Sequence, residues 1–181
     1  MKFLETALPG VIVIQPRILG DRRGFFMETW HRVTFRAAGI DVDFMQDNHS
    51  RSVKGTLRGL HYQLRRPQGK LVRVVAGEVF DVSVDLRRSS PTFGRSLGVK
   101  LSATDATELW IPPGLAHGFY VTSDSADLLY KCTDVYVPED ERTIRWDDPT
   151  LAIDWPIGAE PPVLSARDEA GVAFADAEVY G

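Results

Sequence analysis

Residues 71–86, with the sequence LVRVVAGEVFDVSVDL, indicate the fold class of this chain. Apolar side chains at positions 80, 82, 84 and 86 alternate with polar ones at 81, 83 and 85, as in a β-strand with one apolar face. The Ala76-Gly77 pair interrupts the stretch and predicts a hairpin between two strands. The middle of the chain is therefore predicted to be β-sheet.

Short β-type runs recur on both sides of this stretch, separated by Gly, Pro, Asp and Ser. The predicted strands cover residues 11–14, 25–27, 97–101, 108–111, 118–122 and 128–136. Helix signals are limited to residues 34–38, ended by Gly39, and to a capping box that runs from Ser165 to Asp168. This pattern predicts an all-β sandwich or barrel with a few short peripheral helices.

Length and composition limit the possible functions. The 181 residues contain no long linker, which predicts one domain spanning 1–181. The net charge of −4 is the wrong sign for a nucleic-acid-binding protein. No apolar run is long enough for a signal peptide or a membrane span, and the single cysteine, Cys132, fits a reducing compartment. We therefore expect a cytoplasmic protein without nucleic-acid or membrane partners.

The segment Pro112-x-Gly114-x-x-His117-Gly118-Phe119 has the form of a turn in a cupin jelly roll, where the histidine points into the barrel. A metal-binding cupin normally also has two close histidines on an earlier strand. The corresponding segment here is His61-Tyr62-Gln63, which is a poor ligand set. We therefore predict that the site holds no metal.

Amide, cationic and imidazole side chains are concentrated in residues 46–50, 58–63 and 68–70. A lone histidine such as His61 is more often a hydrogen-bonded core residue than a functional one, but its polar surroundings favour function. Strand alternation would place Arg58 and His61 on opposite faces. A bulge at Gly59 would bring both to one side, which is a hypothesis.

Eight motifs, in order and spacing, resemble the dTDP-4-dehydrorhamnose 3,5-epimerase family over nearly the whole chain. They are Asp21-x-Arg23-Gly24-x-Phe26, Gln46-Asp47-Asn48, Leu57-Arg58-Gly59-Leu60-His61, Gln68-Gly69-Lys70, Phe80-Asp81-Val82-x-Val84-Asp85, Ile111-Pro112-x-Gly114-x-Ala116-His117-Gly118-Phe119, Tyr130-Lys131 and Leu164-Ser165-x-x-Asp168. The resemblance implies a cupin jelly roll, a homodimer and a cofactor-free isomerase acting on a dTDP-4-keto-6-deoxysugar.

The resemblance also implies a role for each of four residues. His61 would be the base, Asp168 its orienting carboxylate and Tyr130 the acid. Lys70 would lie near the C4 oxygen of the sugar. Cation and base suit this chemistry, because removal of a proton beside a ketone leaves an enolate whose charge lies mainly on the ketone oxygen.

Substrate contacts are implied in the same way. The residues are Arg23, Phe26, Glu28, Gln46, Asp47, Asn48, Arg58, His117, Tyr136, Glu141 and Arg167, with Phe26 and Tyr136 as candidates for aromatic stacking. The chain departs from the family pattern at Arg167, where lysine is usual, and at Leu19, where phenylalanine is common. Both departures could reflect a related sugar substrate.

Three alternatives stay open. A relative of this kind can epimerise only C3 or C5, or isomerise the ketone, in another deoxysugar pathway. A metal-dependent cupin oxygenase and a non-catalytic sugar-binding cupin are more remote.

The unbroken apolar run at residues 11–14 suits burial on both faces and predicts that a partner subunit covers it. We therefore expect a two-fold homodimer with shared sites. His61, Lys70, Tyr130 and Asp168 would come from one chain, and Arg23, Phe26 and Glu28 from the other.

Overall fold

The computed structural model describes all residues from 1 to 181, and most of its regular structure is β-strand. The strands are β1 (Lys2–Glu5), β2 (Ile12–Gln15), β3 (Ile18–Asp21), β4 (Gly24–Met27), β5 (Gln46–Val53), β6 (Leu57–Gln63), β7 (Lys70–Ala76), β8 (Glu78–Asp85), β9 (Ser96–Ser102), β10 (Glu108–Ile111), β11 (Leu115–Val121), β12 (Ser125–Cys132) and β13 (Glu141–Thr143). Two α-helices, α1 (Arg32–Ala37) and α2 (Ala166–Glu169), and two 3-10 turns, Pro138–Asp140 and Phe174–Asp176, complete it. No helix is long and apolar enough to cross a membrane.

Two antiparallel sheets form the body of the molecule. One has six strands in the order β1-β2-β10-β7-β12-β5, and the other has five in the order β13-β6-β11-β8-β9. The hairpin of β3 and β4 forms a separate two-stranded sheet. The predicted all-β class with short peripheral helices is confirmed.

Apolar side chains pack in three clusters. The largest includes Val72 and Leu109 from the six-stranded sheet and Val79 and Phe119 from the five-stranded sheet, so it lies between the sheets. A second packs strands of the five-stranded sheet against the C-terminal third of the chain, for example Trp155. A third joins the six-stranded sheet to the segment that contains α1. Both sheets are therefore covered on both faces over part of their area.

The predicted hairpin at Ala76-Gly77 is wrong, although a turn is present there. β7 pairs with β10 and β12, whereas β8 pairs with β9 and β11, so this turn carries the chain from one sheet to the other. Gly77 has φ +73°, and a Cβ there would lie 1.9 Å from the backbone oxygen of Ser125. The close passage over β12 therefore explains the glycine without a hairpin.

The apolar run at residues 11–14 is not an exposed edge, as its composition predicted; its coverage by a partner subunit stays a prediction. β2 lies inside its sheet, between β1 and β10. Val11 belongs to the cluster between the sheets, and Ile14 packs with Phe35 on the other face. Val11 and Ile14 are therefore buried within their own chain, whereas Ile12 and Val13 remain partly exposed.

The predicted strand 128–136 ends early, at Cys132. Its ladder with β7 stops where Cys132 lies opposite Lys70. The chain then leaves the sheet, and the hydroxyl of Thr133 accepts a hydrogen bond from the Gly69 N–H at 2.8 Å. This departure brings Tyr136 to the rim of the cleft described next.

Candidate active site

A cleft of about 950 Å³, counted with its open mouth, is bounded by strands of both sheets. Ten residues predicted from the sequence line it. They are Gln46, Asn48, Arg58, His61, Lys70, His117, Tyr130, Tyr136, Glu141 and Arg167. Gln68, which the motifs include, lines it too, together with Ser50, Phe119, Leu128 and Cys132.

A β-bulge in β6 brings Arg58 and His61 to the same side, as hypothesised. His117 of β11 lies opposite His61, but Phe119 lies opposite Arg58, so three steps along β6 match two along β11. Gly59 makes this possible, because a Cβ there would lie only 2.5 Å from the Cα of Gly118. Only glycine permits so close an approach of the two backbones.

His61 lies against the carboxylate of Asp168. Its Nε2 is 2.7 Å from Oδ1 of Asp168, as a close ion-pair contact rather than a well-aligned hydrogen bond. Asp168 is buried, and its carboxylate also accepts hydrogen bonds from the Gly59 N–H at 3.0 Å and the Ser165 hydroxyl at 2.6 Å. Burial alone would raise the pKa of Asp168, but His61, Ser165 and Gly59 outweigh it and hold the pKa well below its ordinary value.

The helix α2 positions this carboxylate. Ser165 is its N-cap, and Asp168 is the third helical residue, so the two form the predicted capping box. The box fixes the backbone and the rotamer of Asp168, and the same carboxylate also reaches His61. Asp168 can therefore cap the helix α2 and orient His61 at the same time.

Lys70 and Tyr130 come from the other sheet. Lys70 opens β7 and lies across from Cys132. Burial lowers the pKa of the Lys70 ammonium, and the neighbouring Cys132, Glu141 and Asp81 oppose that effect. Burial likewise raises the pKa of the Tyr130 phenol above its ordinary value of 10.0. At neutral pH the cleft thus combines a desolvated lysine with a protonated tyrosine.

A second histidine–carboxylate pair lies beside the first. Nε2 of His117 is 2.8 Å from Oδ2 of Asp81, and both side chains are buried. Asp81 belongs to one of the sequence motifs, but the family resemblance implies no role for it. The alternation of β8 could have identified Asp81. The alternating apolar side chains of β8 pack on the outer face of the five-stranded sheet, so its polar side chains must point between the two sheets.

The rim of the cleft is a network of polar side chains. Arg167 of α2 forms an ion pair with Glu141. The Tyr136 hydroxyl donates to Glu141 at 2.9 Å, and Gln46 accepts from the backbone N–H of Tyr136 at 2.7 Å. Gln46 also donates to Asn48 at 2.8 Å. These groups can recognise a polar, anionic ligand, because the network supplies both donors and a guanidinium.

Four of the predicted contact residues are not in the cleft. Arg23 and Phe26 lie on the β3–β4 hairpin, which borders a different depression, and Glu28 follows it and is exposed. Asp47 lies between Gln46 and Asn48 on β5, so alternation turns it to the opposite face. There its carboxylate pairs with Nζ of Lys131 at 2.6 Å. The inclusion of Asp47 is therefore corrected.

Potential metal ligands are sparse. The structure contains no group of three or more His, Cys, Asp and Glu side chains that could hold a metal ion.

Comparisons with known proteins find similarity over nearly the whole chain. A sequence model described as dTDP-4-dehydrorhamnose 3,5-epimerase matches residues 5–176. The chain is 56% identical to a dTDP-4-dehydrorhamnose 3,5-epimerase of Pseudomonas aeruginosa over 99% of both chains.

Two solved structures are also similar. One is a dTDP-6-deoxy-D-glucose-3,5-epimerase of Legionella pneumophila in complex with dTDP-4-keto-L-rhamnose. It has TM-score 0.95 and 51% identity, over 98% of this chain and 94% of that one. The other is a 3'-monoepimerase of Streptomyces bikiniensis in complex with dTDP-quinovose, with TM-score 0.88 and 37% identity over 94% and 86%.

Proposed function

This chain belongs to the dTDP-4-dehydrorhamnose 3,5-epimerase family, and from that premise we propose a substrate, a pathway and a mechanism. The substrate is dTDP-4-dehydro-6-deoxy-D-glucose, epimerised at C3 and C5 to dTDP-4-dehydro-L-rhamnose in the biosynthesis of dTDP-L-rhamnose. Residues 1–181 act as one domain without a cofactor. The placement of His61 and Lys70 on facing sheets of one cleft carries the proposal.

His61 is the proposed base. Its Nε2 faces the carboxylate of Asp168, so a neutral ring that carries its proton on Nε2 has its lone pair on Nδ1. Proton removal from C3 or C5 then makes an imidazolium, which the anionic Asp168 stabilises. The depressed pKa of Asp168 supports this role, because the carboxylate stays ionised throughout the neutral range.

Lys70 is proposed to stabilise the enolate. Both C3 and C5 flank the C4 ketone, so each deprotonation places negative charge on the same oxygen. An ammonium next to that oxygen serves both steps, and its effect is larger in a cleft with little water than in solvent. One lysine can therefore support epimerisation at two carbons.

Tyr130 is the proposed acid. It lies on β12 in the six-stranded sheet, whereas His61 lies on β6 in the five-stranded sheet. Inversion requires that a proton leave one face of the sugar and return to the other. Two groups on opposite walls meet that requirement, and the raised pKa keeps the phenol protonated.

The nucleotide is proposed to bind at the rim. Arg58 and Arg167 can pair with the diphosphate, whereas Tyr136 offers a ring for stacking on the base. Gln46, Asn48, His117 and Glu141 supply further polar contacts to the nucleotide and the sugar.

A second subunit is proposed to complete the site. Arg23, Phe26 and Glu28 cannot contribute to the cleft of their own chain in this structure, and Phe26 is 69% exposed. In a two-fold homodimer each hairpin would reach the cleft of the other chain. Exposed apolar side chains on a projecting hairpin support this arrangement.

Deuterium incorporation tests the reaction. Incubation of dTDP-4-dehydro-6-deoxy-D-glucose with the protein in heavy water should label C3 and C5, as located by NMR, and should yield the L-rhamno product. The same result is expected in the presence of a chelator. Label without inversion, or activity that depends on added iron, zinc or manganese, would contradict the proposal.

The same experiment separates the rivals. A mono-epimerase would invert one carbon only, and the similar Streptomyces bikiniensis 3'-monoepimerase makes this the rival with the nearest fold evidence, with TM-score 0.88. A ketoisomerase would move the carbonyl. A non-catalytic sugar-binding protein would bind dTDP without introducing deuterium.

A further inference from the structure

The segment 134–136 includes Tyr136 at the rim of the cleft, but it belongs to no helix or strand. None of its three residues makes a backbone–backbone hydrogen bond. Polar backbone groups without such partners are paired with side chains or with water. The conformation of this segment therefore depends on the side chains around it.

Gln63 makes two of the contacts that hold the segment. Its Nε2 donates to the carbonyl of Val135 at 3.2 Å, and its Oε1 accepts from the Val137 N–H at 2.7 Å. Nε2 also donates to the carbonyl of Arg66 at 2.9 Å. These bonds attach the residues on either side of Tyr136 to the last residue of β6.

The surroundings of Gln63 suit this one arrangement. The residue is 3% exposed and does not line the cleft, so it cannot contact a ligand there. Both amide protons and the amide oxygen are used, and the side chain is therefore fully paired. A side chain without these groups would leave polar backbone atoms of the segment unpaired.

Two further glutamines hold the neighbouring backbone groups. Gln46 accepts from the Tyr136 N–H at 2.7 Å, and Gln68 donates to the carbonyl of Asp134 at 2.7 Å. The Tyr136 hydroxyl donates to Glu141 at 2.9 Å. The backbone and the hydroxyl of Tyr136 are thus both fixed by the protein itself, although the residue is 40% exposed.

We propose that Gln63 is a positioning residue for nucleotide binding, which holds Val135 and Val137 so that the ring of Tyr136 is in place to stack on the base. The stacking role of Tyr136 rests on the proposed function, but the fixing of the segment does not. A ring that is already in place binds a base more tightly than a mobile one, because less conformational entropy is lost on binding. The base is remote from C3 and C5, so the effect should fall on KM rather than on kcat.

Amide hydrogen exchange of the free protein tests the fixing of the segment. The Tyr136 and Val137 N–H groups should be protected, although they lie outside regular structure. Gln63→Met keeps the length of the side chain but removes its three hydrogen bonds, so the Val137 amide should exchange about 10-fold faster or more. Tyr180→Phe is the matched control, because it removes only the bond that the Tyr180 hydroxyl donates to the Gln63 carbonyl at 2.6 Å.

Fast exchange of both amides in the wild-type protein would overturn the proposal, and that measurement needs no variant. A Gln63→Met chain that fails to fold would overturn it as well, because Gln63 would then be a structural residue.

Calorimetric titration with dTDP and steady-state kinetics test the use of the segment. In Gln63→Met the Kd for dTDP and the KM should each rise by about 10-fold, whereas kcat should stay within about 3-fold of wild type. Tyr180→Phe should bind dTDP as the wild type does. A loss confined to kcat, with KM and Kd unchanged, would contradict a role in nucleotide binding.

A double-mutant cycle separates this proposal from the proposed function. Tyr136→Leu should weaken dTDP binding by itself, and Gln63→Met should add no further loss in its presence, because Gln63 acts through Tyr136. Full dTDP affinity in Tyr136→Leu would refute the stacking role of Tyr136 in the proposed function. A weakened Tyr136→Leu with an additive loss in the double variant would refute only the role of Gln63.

Discussion

The cleft and the β3–β4 hairpin differ in how their side chains are held. In the cleft, His61 and His117 each have a buried carboxylate within 3 Å of Nε2. On the hairpin, Phe25 and Phe26 are each 69% exposed, and the carboxylate that pairs with Arg23 belongs to the same hairpin. The groups proposed for proton transfer are therefore fixed within one chain, whereas Arg23, Phe26 and Glu28 are proposed to contact substrate only in the cleft of a partner.

Two buried acids show the same contrast. Asp168 in the cleft has three partners, and its pKa lies well below its ordinary value. Glu108, on the face of the six-stranded sheet that also carries Trp110, is 1% exposed, and neither of its oxygens has a hydrogen-bond partner. Burial raises its pKa to about 8, although Arg73 and Lys131 lower it. Asp168 is therefore satisfied more fully than Glu108.

The largest expected effect is that of His61→Ala, which tests whether the cleft contains the complete base. Both deuterium exchange and epimerisation should fall by roughly 10²–10⁴-fold, because the general base is lost. His49→Ala is a matched control, since His49 pairs with Asp127 at 3.0 Å outside the cleft, and it should retain activity. Unchanged exchange at C3 and C5 in a His61→Ala protein that still binds substrate would show that another residue is the base.

Tyr130→Phe should separate the two halves of the reaction. His61 can still remove and restore a proton on its own face, but delivery to the other face fails. Exchange should therefore persist where epimerisation is lost, as measured by NMR in heavy water. Tyr120→Phe removes a phenol from a buried ring outside the cleft and serves as the control. Equal loss of exchange and epimerisation would instead indicate a packing or binding role for Tyr130.

Mixed dimers test whether the hairpin acts on the partner. A His61→Ala chain co-expressed with an Arg23→Ala, Glu28→Ala chain should regain part of the activity that each lacks alone. The reason is that each hybrid dimer contains one cleft built wholly from intact residues. A different affinity tag on each of the two chains allows the hybrid dimer to be purified. Absence of rescue in a purified hybrid would place all site residues in one chain.

The smallest effect on activity is expected for Glu108→Gln, which concerns stability. The folded state retains a proton on Glu108 between pH 4.5, the ordinary pKa, and about 8, whereas the unfolded state loses it. Stability must therefore fall as pH rises through that window, by at most about 1.4 kcal/mol per pH unit. Glutamine removes this dependence, so the variant should gain in free energy of unfolding at alkaline pH but not at acid pH.

Urea unfolding of both proteins at one protein concentration measures this difference. Parallel pH dependence of wild type and Glu108→Gln would mean that a cation satisfies the carboxylate in the assembled protein. That outcome would extend the subunit interface from the hairpin to this face of the sheet.

Local pattern accounts for the correct predictions. The alternation in β8, the capping box at Ser165 and the glycine after α1 each depend on neighbours in sequence, so the sequence reveals them directly. The bulge at Gly59 could be hypothesised from the sequence. Strand alternation alone would place Arg58 and His61 on opposite faces, although both are candidate site residues. By contrast, the turn at Gly77 looks locally like a hairpin, and only strand pairing shows that it joins two sheets.

The sequence by itself determined the β class, the family and ten of the residues that line the cleft, because periodicity, turn chemistry and motif spacing are properties of short segments. The family resemblance implied that Asp168 faces His61, but tertiary structure alone showed that Asp81 faces His117. Asp168 lies 107 positions from His61 and Asp81 lies 36 positions from His117, and no local rule joins such pairs. Tertiary structure also decided that β2 lies inside its sheet, between β1 and β10. Those outcomes depend on which strands become neighbours, and that is set by packing of the whole chain.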